Sequence, residues 1–213
     1  MINTANEIGR NTDTIIFNTN EALKIEQPKQ QITVPIFDLV PENSIHLKVP
    51  PPEFNFETPP VDPNKFASSL VETCKKYNGY GLSANQCGYP YRVFVMGAGD
   101  SYVAHFNPKL IKAYGEAHMT EGCLSFPLLG LGITRAAAVD VEYQDFNGVK
   151  REAHYTGISA RCFLHELDHM NGIVYTSRAK PMALQSGMKK RGKYNKLIAK
   201  SQKQVDRIEA LVK

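Results

Sequence analysis

The sequence has no apolar run that approaches the length of a membrane span, which excludes a helical membrane protein. The first 20 residues have neither the basic start nor the apolar core of a secretory signal. They contain Glu7 and Asp13 and no serine, which argues against an organellar transit peptide. We therefore expect a protein of the cytoplasm that does not bind membranes.

Cysteine is scarce, and no two cysteines form a CxxC pair. A chain of 213 residues is long enough to bury a core without disulfide bonds, so its four thiols suit a reducing compartment. Any functional cysteine would then act as a thiolate. The length also favours a single domain, and 42% hydrophobic residues is ordinary for a globular protein.

Acidic residues are absent from one long segment near the C-terminus. Residues 178–203 contain nine Lys or Arg and no Asp or Glu, although the net charge of the whole chain is only +4. The rest of the chain is acidic, with 16 basic residues against 21 acidic ones. A charge run of this kind is commonly a solvated helix face, but it also suits contact with RNA phosphate.

The strand and helix patterns do not alternate as βαβ units, and no internal repeat is present. Short β-type runs occupy residues 91–97, 102–108, 139–148 and 149–157. Apolar periodicity predicts helices over residues 64–77, 158–171 and 187–212. Asn147-Gly148 predicts a hairpin turn between the last two strands, and Asn64 is the expected N-cap of the first helix. This order of elements predicts an α+β fold with antiparallel sheets.

The second predicted helix carries the sequence His165-Glu166-Leu167-Asp168-His169. On a helix, His165 and His169 lie on one face and can share a metal ion. Glu166 stands beside them, as in metallopeptidases whose glutamate handles a proton of metal-bound water. The helix is otherwise largely apolar, so we expect it to be buried, and a metal site would satisfy its polar groups. The alternative is a solvated polar patch on an amphipathic helix.

A third ligand is missing downstream of the two histidines. A catalytic zinc-type site usually has three protein ligands and one open position. One peptidase pattern supplies the third ligand as HExxHxxGxxH, and here Gly172 is present but Tyr175 replaces the last histidine. Another pattern uses a glutamate some twenty residues further on, but the next glutamate after Glu166 is Glu209. A third ligand is therefore expected upstream of His165.

Four cysteines lie upstream, and they are not equivalent. Cys162 is on the same helix face, but it is about 10.5 Å along the axis from His169, so we interpret it as pocket lining or core packing. Cys123, in the segment EGCLS, is the better candidate because a short strand or turn can direct its thiolate at the helix. Cys74 belongs to the apolar stripe of the first helix, and the role of Cys87 stays open.

Three blocks, taken in order, resemble the peptide deformylase family. They read GYGLSANQ at residues 79–86, EGCLS at 121–125 and HELDH at 165–169, against the family's GxGLAAxQ, EGCLS and HExDH. Each block alone is weak to moderate, but three in the same order are highly specific. Ser83 stands where the first block of the family has its first alanine. The resemblance covers about residues 35–180.

The resemblance implies a fold, a reaction and a cofactor. Antiparallel β-sheets would pack around a central metal-binding HExxH helix, with an additional N-terminal helix and a C-terminal helix. The protein would remove the N-formyl group from the N-terminal formyl-methionine of nascent polypeptides and release formate. Cys123, His165 and His169 would bind one divalent ion per chain, Fe²⁺ in the cell, with Zn²⁺ or Ni²⁺ able to occupy the site.

The resemblance also implies roles for individual residues. Glu166 would be the general acid and base, while Gln86 and the backbone N–H of Leu124 would hold the negative charge that develops on the formyl oxygen. The implied substrate-binding residues are Gly81, Leu82, Gly122, Ile158 and Cys162. The two glycines would allow close approach of an extended peptide, and the other three would line an apolar pocket for the methionine side chain.

The surroundings of these residues lead to two further interpretations. Glu121 and Arg135 are interpreted as a buried pair that supports the cysteine loop, and Asp168 as a neighbour of the ligands rather than a ligand. We divide the chain into a lead-in, extended or disordered, over residues 1–35, a catalytic domain over 36–180 and a basic C-terminal helix of the same domain over 181–213.

Two alternative functions are less consistent with the sequence than deformylation. A zinc endopeptidase is disfavoured by the missing downstream ligand, and activity on unformylated peptides would support it. A degenerate relative that binds ribosomes without turnover is disfavoured because all the named catalytic residues are present. As partners we expect N-formyl-methionyl nascent peptides and, through the basic C-terminal segment, the ribosome. We expect the chain to be a monomer.

Overall fold

A computed structural model describes residues 34–212 of the chain, so the predicted lead-in lies almost entirely outside the described residues. Over these residues the fold is α+β, as predicted. Its elements are α1 (Pro63–Lys76), β1 (Gly81–Ser83), β2 (Val93–Ala98), β3 (Ser101–Tyr114), β4 (Ala117–Cys123), β5 (Phe126–Arg135), β6 (Ala138–Gln144), β7 (Lys150–Thr156), α2 (Gly157–Met170) and α3 (Pro181–Val212). None of the helices in this part of the chain combines the length and apolar character needed to cross a bilayer.

The strands form two antiparallel sheets. A five-stranded sheet has the order β1-β2-β3-β6-β7, and β4 and β5 form a separate two-stranded sheet. The predicted strands correspond to β2, β3, β6 and β7. The predicted hairpin between β6 and β7 is confirmed: Gly148 has a φ of +78°, and the Asp145 side chain accepts hydrogen bonds from the N–H groups of Asn147 and Val149.

The β4–β5 hairpin is a feature that the sequence patterns did not predict. Gly130 and Gly132 obscure the strand pattern of residues 128–135, because glycine has low strand propensity. In the structure β5 pairs with β4 from Arg135 to Leu131 and again at Phe126. Its apolar side chains alternate inward, and the buried ones are Leu129, Leu131 and Ile133. Burial of one face therefore outweighs the local propensity.

Helix α1 begins one residue earlier than predicted, and its cap differs. The N-cap is Asp62, whose side chain accepts a hydrogen bond of 3.0 Å from the backbone N–H of Lys65. The prediction of Asn64 as the cap is wrong, because Pro63 is suited to the first helical position and the cap must precede it. The predicted apolar stripe is correct, since Phe66, Leu70 and Cys74 are all buried.

Helix α2, which contains the HELDH sequence, packs against the five-stranded sheet. Phe163 lies edge-on to Phe94 of β2, with ring centroids 5.4 Å apart. At the C-terminal end of the helix the guanidinium of Arg92 donates to the Met170 carbonyl at 2.6 Å and to the Asn171 side chain at 3.0 Å. A cation at this end of a helix neutralises its unpaired carbonyls and fixes where the helix ends.

Helix α3 begins at Pro181, six residues before the predicted start. Proline is favourable in the first turn of a helix, where no N–H donor is needed, so the helix can begin there. Gly187 allows α3 to lie directly on the β4–β5 sheet, because a Cβ at this position would come within 2.6 Å of Leu131. Beyond Arg191 the described side chains of α3 are exposed.

A histidine buried in the core makes the stability of this fold dependent on pH. His105 in β3 is completely buried, stacks on Phe94 and has its Nε2 atom 2.8 Å from the hydroxyl of Tyr155. Burial lowers the pKa of His105 to about 3, whereas an unfolded chain has its ordinary value near 6.5. Between these values the unfolded chain binds the additional proton, so stability decreases as the pH falls.

We predict that His105→Gln reduces the acid sensitivity of the fold. In the wild-type protein this one histidine should lower the free energy of unfolding by about 2 kcal/mol between pH 7 and pH 5. Glutamine can still hydrogen-bond to Tyr155 but does not titrate. Urea unfolding at the two pH values measures the difference, with His46→Gln as a control at an exposed histidine. An equally steep loss in His105→Gln would contradict the prediction.

Candidate active site

The structure brings a thiol and two imidazoles together between α2 and the β4–β5 hairpin. One ligand atom from each of Cys123, His165 and His169 lies within 4.8 Å of the other two. The Sγ atom of Cys123 is 3.4 Å from Nε2 of His169. All three residues are buried. This is the Cys/His/His set predicted from the sequence, and Cys162, considered earlier as an alternative, is not part of it.

These donors fit a divalent transition-metal ion. A thiolate and two neutral imidazoles are typical ligands of Zn²⁺ and related ions, and three protein ligands leave a position open. The Nδ1 atom of His165 is 2.6 Å from the Glu121 carboxylate, which leaves Nε2 of that ring for the ion. Histidines that bind a metal through one ring nitrogen commonly contact a carboxylate through the other, as His165 contacts Glu121 here.

The β4–β5 hairpin presents Cys123 to the helix because several contacts fix its position. Cys123 is the last residue of β4 and pairs with Phe126, so only two residues form the turn. The hydroxyl of Tyr175 donates to the Leu129 carbonyl at 2.6 Å, and its ring lies 5.6 Å from the ring of His165. Tyr175 therefore stabilises the hairpin from the position where one peptidase class has its third ligand.

The carboxylate of Glu121 is bound by three different side chains. Arg135 donates two hydrogen bonds to it, of 2.9 and 3.0 Å, and Arg161 donates a third of 2.8 Å. His165 contacts it as described above. Burial acts to raise the pKa of Glu121, but the hydrogen bonds from His165 and Arg135 outweigh burial and lower the pKa to about 2. The predicted pair of Glu121 and Arg135 is confirmed.

Asp168 extends this network of charges away from the Cys/His/His group. It accepts a hydrogen bond of 2.7 Å from Arg135 and two from Arg178, of 2.6 and 3.1 Å. It is not a member of the Cys/His/His group, in agreement with its interpretation as a neighbour. Separating the members of a buried ion pair leaves an uncompensated charge, which is costly. The elements that carry these charges, β4, β5 and α2, are therefore held in one relative position.

Glu166 is a second buried carboxylate, but its surroundings differ. Its Oε2 atom is buried and has no hydrogen-bond partner among residues 34–212. Burial raises the pKa of Glu166 to about 7, although His165, the Ser83 hydroxyl and Arg135 act in the opposite direction. A carboxyl group with a pKa near neutrality can both accept and donate a proton at physiological pH.

Gln86 lies on the other side of Cys123, in a short 3₁₀ helix over Ala84–Cys87. Its amide nitrogen is 3.4 Å from Sγ of Cys123 and 3.1 Å from the hydroxyl of Ser125. Its amide oxygen accepts hydrogen bonds from the backbone N–H and the hydroxyl of Ser83. Leu124 follows Cys123 directly in the two-residue turn. The two predicted donors to a substrate oxygen therefore flank the same cysteine.

The predicted substrate-binding residues are not all equally accessible. At Gly81 a Cβ would lie 2.5 Å from Oε1 of Glu166 and 2.8 Å from Sγ of Cys162, so only glycine fits beside the catalytic candidate. Gly122 is exposed, and Ile158 in the first turn of α2 is 37% exposed. Leu82, in contrast, is completely buried in the core, so its side chain supports the site from behind rather than facing a ligand.

Sequence reasoning missed three residues that support the site. Arg161 binds Glu121 and Arg178 binds Asp168. The hydroxyl of Tyr175 stabilises the β4–β5 hairpin through a hydrogen bond. Arg161 carried a usable signal, because it lies four residues before His165 and thus on the same face of a helix expected to be buried. Arg178 and Tyr175 come after the helix, where no periodicity indicates their partners.

Comparison with known proteins shows that this chain is similar to peptide deformylases. A family profile described as Polypeptide deformylase matches residues 40–185. The peptide deformylase of Thermotoga neapolitana is 42% identical over 113 residues, which is 53% of this chain and 69% of that protein. The peptide deformylase of Chromobacterium violaceum is 38% identical over 132 residues, or 59% of this chain and 79% of that protein.

Solved structures agree with the sequence matches. A peptide deformylase from Synechococcus elongatus in complex with actinonin has a TM-score of 0.68 at 27% identity, covering 73% of this chain and 88% of that one. The peptide deformylase from Legionella pneumophila has a TM-score of 0.68 at 26% identity, covering 78% and 98%. The profile spans well over half of the chain, and so the chain belongs to the peptide deformylase family, metallohydrolases that remove the N-formyl group from nascent polypeptides.

Proposed function

We propose that Cys123, His165 and His169 bind the divalent ion of this protein and that Glu166 is its general acid and base in the hydrolysis of N-formyl-methionyl peptides. The observation that supports this proposal is the meeting of three donor atoms, from two separate elements, within 4.8 Å of one another. Glu166 directly follows one of the three donors on the same buried helix. The products are formate and a peptide with a free amino terminus.

The ion that we propose for the cell is Fe²⁺, with Zn²⁺ or Ni²⁺ able to take the same place. The Cys/His/His donors do not select iron by affinity, since the usual order favours zinc over Fe²⁺. When bound, the ion would activate a water molecule as a nucleophile near neutral pH. The protein sample would then carry the ion that was most available during expression.

Glu166 would carry the proton between the attacking water and the leaving nitrogen. As the water oxygen adds to the formyl carbon, the carboxylate of Glu166 accepts the proton that the water loses. It then donates that proton to the methionine nitrogen as the bond between carbon and nitrogen breaks. A group with a pKa of about 7 performs both steps without a large energetic penalty in either direction.

Gln86 and Leu124 would stabilise the formyl oxygen. The side-chain N–H of Gln86 and the backbone N–H of Leu124 would donate hydrogen bonds to this oxygen as it becomes negative. Donors that are already fixed in position stabilise developing charge more effectively than water, because they do not have to reorient. Hydrogen bonds from Ser83 fix the Gln86 amide, and the short β4–β5 turn fixes Leu124.

The substrate peptide would bind in an extended conformation between the two sheets. Among the described strands, β1 pairs only with β2 and β4 only with β5, so each has one edge without a strand partner. Gly81 and Gly122 lie on these two strands, and the absence of side chains lets a peptide backbone approach. Ile158 and Cys162 would line the pocket for the methionine side chain.

The exposed half of α3 would contact the ribosome as part of the same cytoplasmic, monomeric protein. At 100° per residue six of its eight basic side chains share one face of the helix: Lys189, Lys193, Lys196, Lys200, Lys203 and Arg207. All six are exposed. A row of positive charge with this spacing suits the phosphates of RNA. Residues 36–180 would then form the catalytic part and 181–213 a docking helix attached to it through β5.

We predict that Glu166→Gln abolishes formate release without unfolding the protein. Loss of the proton-transfer group should lower kcat by at least about 100-fold. The assay measures formate from a formyl-methionyl peptide, with Glu152→Gln as a control at an exposed glutamate of β7. A fully active Glu166→Gln protein would contradict the mechanism, and cleavage of unformylated peptides would favour an endopeptidase.

We predict that Cys123→Ala weakens metal binding whereas Cys87→Ala does not. Changes to residues that merely support a ligand commonly cost 10-fold to 100-fold in affinity, so loss of a ligand should cost at least about 100-fold. Elemental analysis after dialysis against a chelator gives the metal content of each variant. An unchanged affinity in Cys123→Ala would remove this residue from the ligand set.

We predict that neutralising the basic face of α3 weakens association with ribosomes. The variant changes Lys193, Lys196, Lys200 and Lys203 to glutamine, and the matched control changes four exposed lysines elsewhere: Lys48, Lys65, Lys76 and Lys109. Both variants lose the same net charge, so a difference between them reports the position of the charges. Only the first variant should lose salt-sensitive co-sedimentation, since only it removes charges from α3. Equal binding by the two variants would show that α3 is not the contact.

A further inference from the structure

The residue that differs from the family's first block, Ser83, is bonded to the proposed oxyanion donor. Ser83 is the last residue of β1 and is completely buried. Its backbone N–H and its hydroxyl both donate to Oε1 of Gln86, at 2.9 and 2.8 Å. An alanine at this position would keep the first hydrogen bond and lose the second.

The two hydrogen bonds decide which end of the Gln86 amide faces the site. An amide presents either its oxygen or its NH₂ group in a given direction, and the two differ by a half-turn of the side chain. The reversed orientation would place NH₂ against the backbone N–H of Ser83, would require the Ser83 hydroxyl to accept instead of donate, and would put the amide oxygen beside the thiol of Cys123. With Ser83 as a double donor, Nε2 is directed at Sγ of Cys123 and at Ser125.

We propose that the hydroxyl of Ser83 is a positioning group that holds the Gln86 amide with its N–H donor toward the formyl oxygen. This inference rests on the proposed role of Gln86 as an oxyanion donor. Ser83 does not touch the substrate. Its hydroxyl also acts to lower the pKa of Glu166, and a double-mutant cycle with Gln86 separates that effect from the positioning of the amide. Its contribution is to reduce the freedom of a side chain whose orientation must be correct before the reaction begins.

The proposal assigns the effect of Ser83 to its hydrogen bond rather than to its volume. The matched variants are Ser83→Ala, which removes the hydroxyl, and Ser83→Cys, which keeps the size but is a weak donor. Ser69→Ala in α1 is a control at another buried serine. Because alanine is the residue of the family's block at this position, Ser83→Ala should fold, which thermal unfolding of each variant verifies.

Steady-state kinetics of formate release from a formyl-methionyl peptide test the proposal. We expect kcat to fall by about twofold to tenfold in both Ser83→Ala and Ser83→Cys, with KM changed by less than about twofold. This range corresponds to the loss of one hydrogen bond of ordinary strength, the one from the Ser83 hydroxyl that orients Gln86 for the transition state. Ser69→Ala should behave as wild type. An unchanged kcat in Ser83→Ala, or a reduced kcat in Ser83→Ala alone, would overturn the proposal.

A double-mutant cycle with Gln86→Ala identifies the residue through which Ser83 acts. If Ser83 works through Gln86, Ser83→Ala should cost nothing further in a Gln86→Ala protein. If the two effects multiply, Ser83 acts instead on another neighbour such as Glu166, and the proposal is wrong. A Gln86→Ala protein with full kcat would overturn the proposed role of Gln86 itself, an outcome that the single Ser83 variants do not imitate.

Discussion

The buried carboxylate of Glu121 is the interaction on which the geometry of the site depends. It joins the β4–β5 sheet, through Arg135, to helix α2, through Arg161 and His165. Cys123 is only two residues from Glu121, so the same contact that orients a histidine also sets the position of the cysteine. Since the two sheets share no strand pairing within the described part of the chain, this network of charges connects the β4–β5 sheet to α2.

Two buried carboxylates in one site are given opposite proton affinities by their neighbours. Glu121 is surrounded by donors, and its pKa falls to about 2, so it remains ionised and structural. Glu166, one residue from His165, has a buried oxygen that no donor among residues 34–212 reaches, and burial raises its pKa to about 7. In the proposed mechanism this separation leaves Glu121 as a structural group and Glu166 as the group that transfers protons.

Much of the fold followed from periodicity, and its exceptions have physical causes. Strands β2, β3, β6 and β7 were predictable from short β-type runs, and the helices from the spacing of their apolar residues. The β4–β5 hairpin was not, because Gly130 and Gly132 hide its alternation, and α3 begins earlier because Pro181 can start a helix. The cap of α1 was misplaced by two residues for the same reason at Pro63.

The sequence by itself determined the family, the two histidines one helical turn apart and the cysteine in its block, because these depend on residue type and spacing. Only the tertiary structure decided how distant residues meet. Arg161, Arg178 and Tyr175 bind partners on other elements, which no local pattern encodes. Ser83 looked in the sequence like a minor exchange for alanine. In the folded chain its hydroxyl binds Gln86, because a turn of 3₁₀ helix returns that side chain to the end of β1.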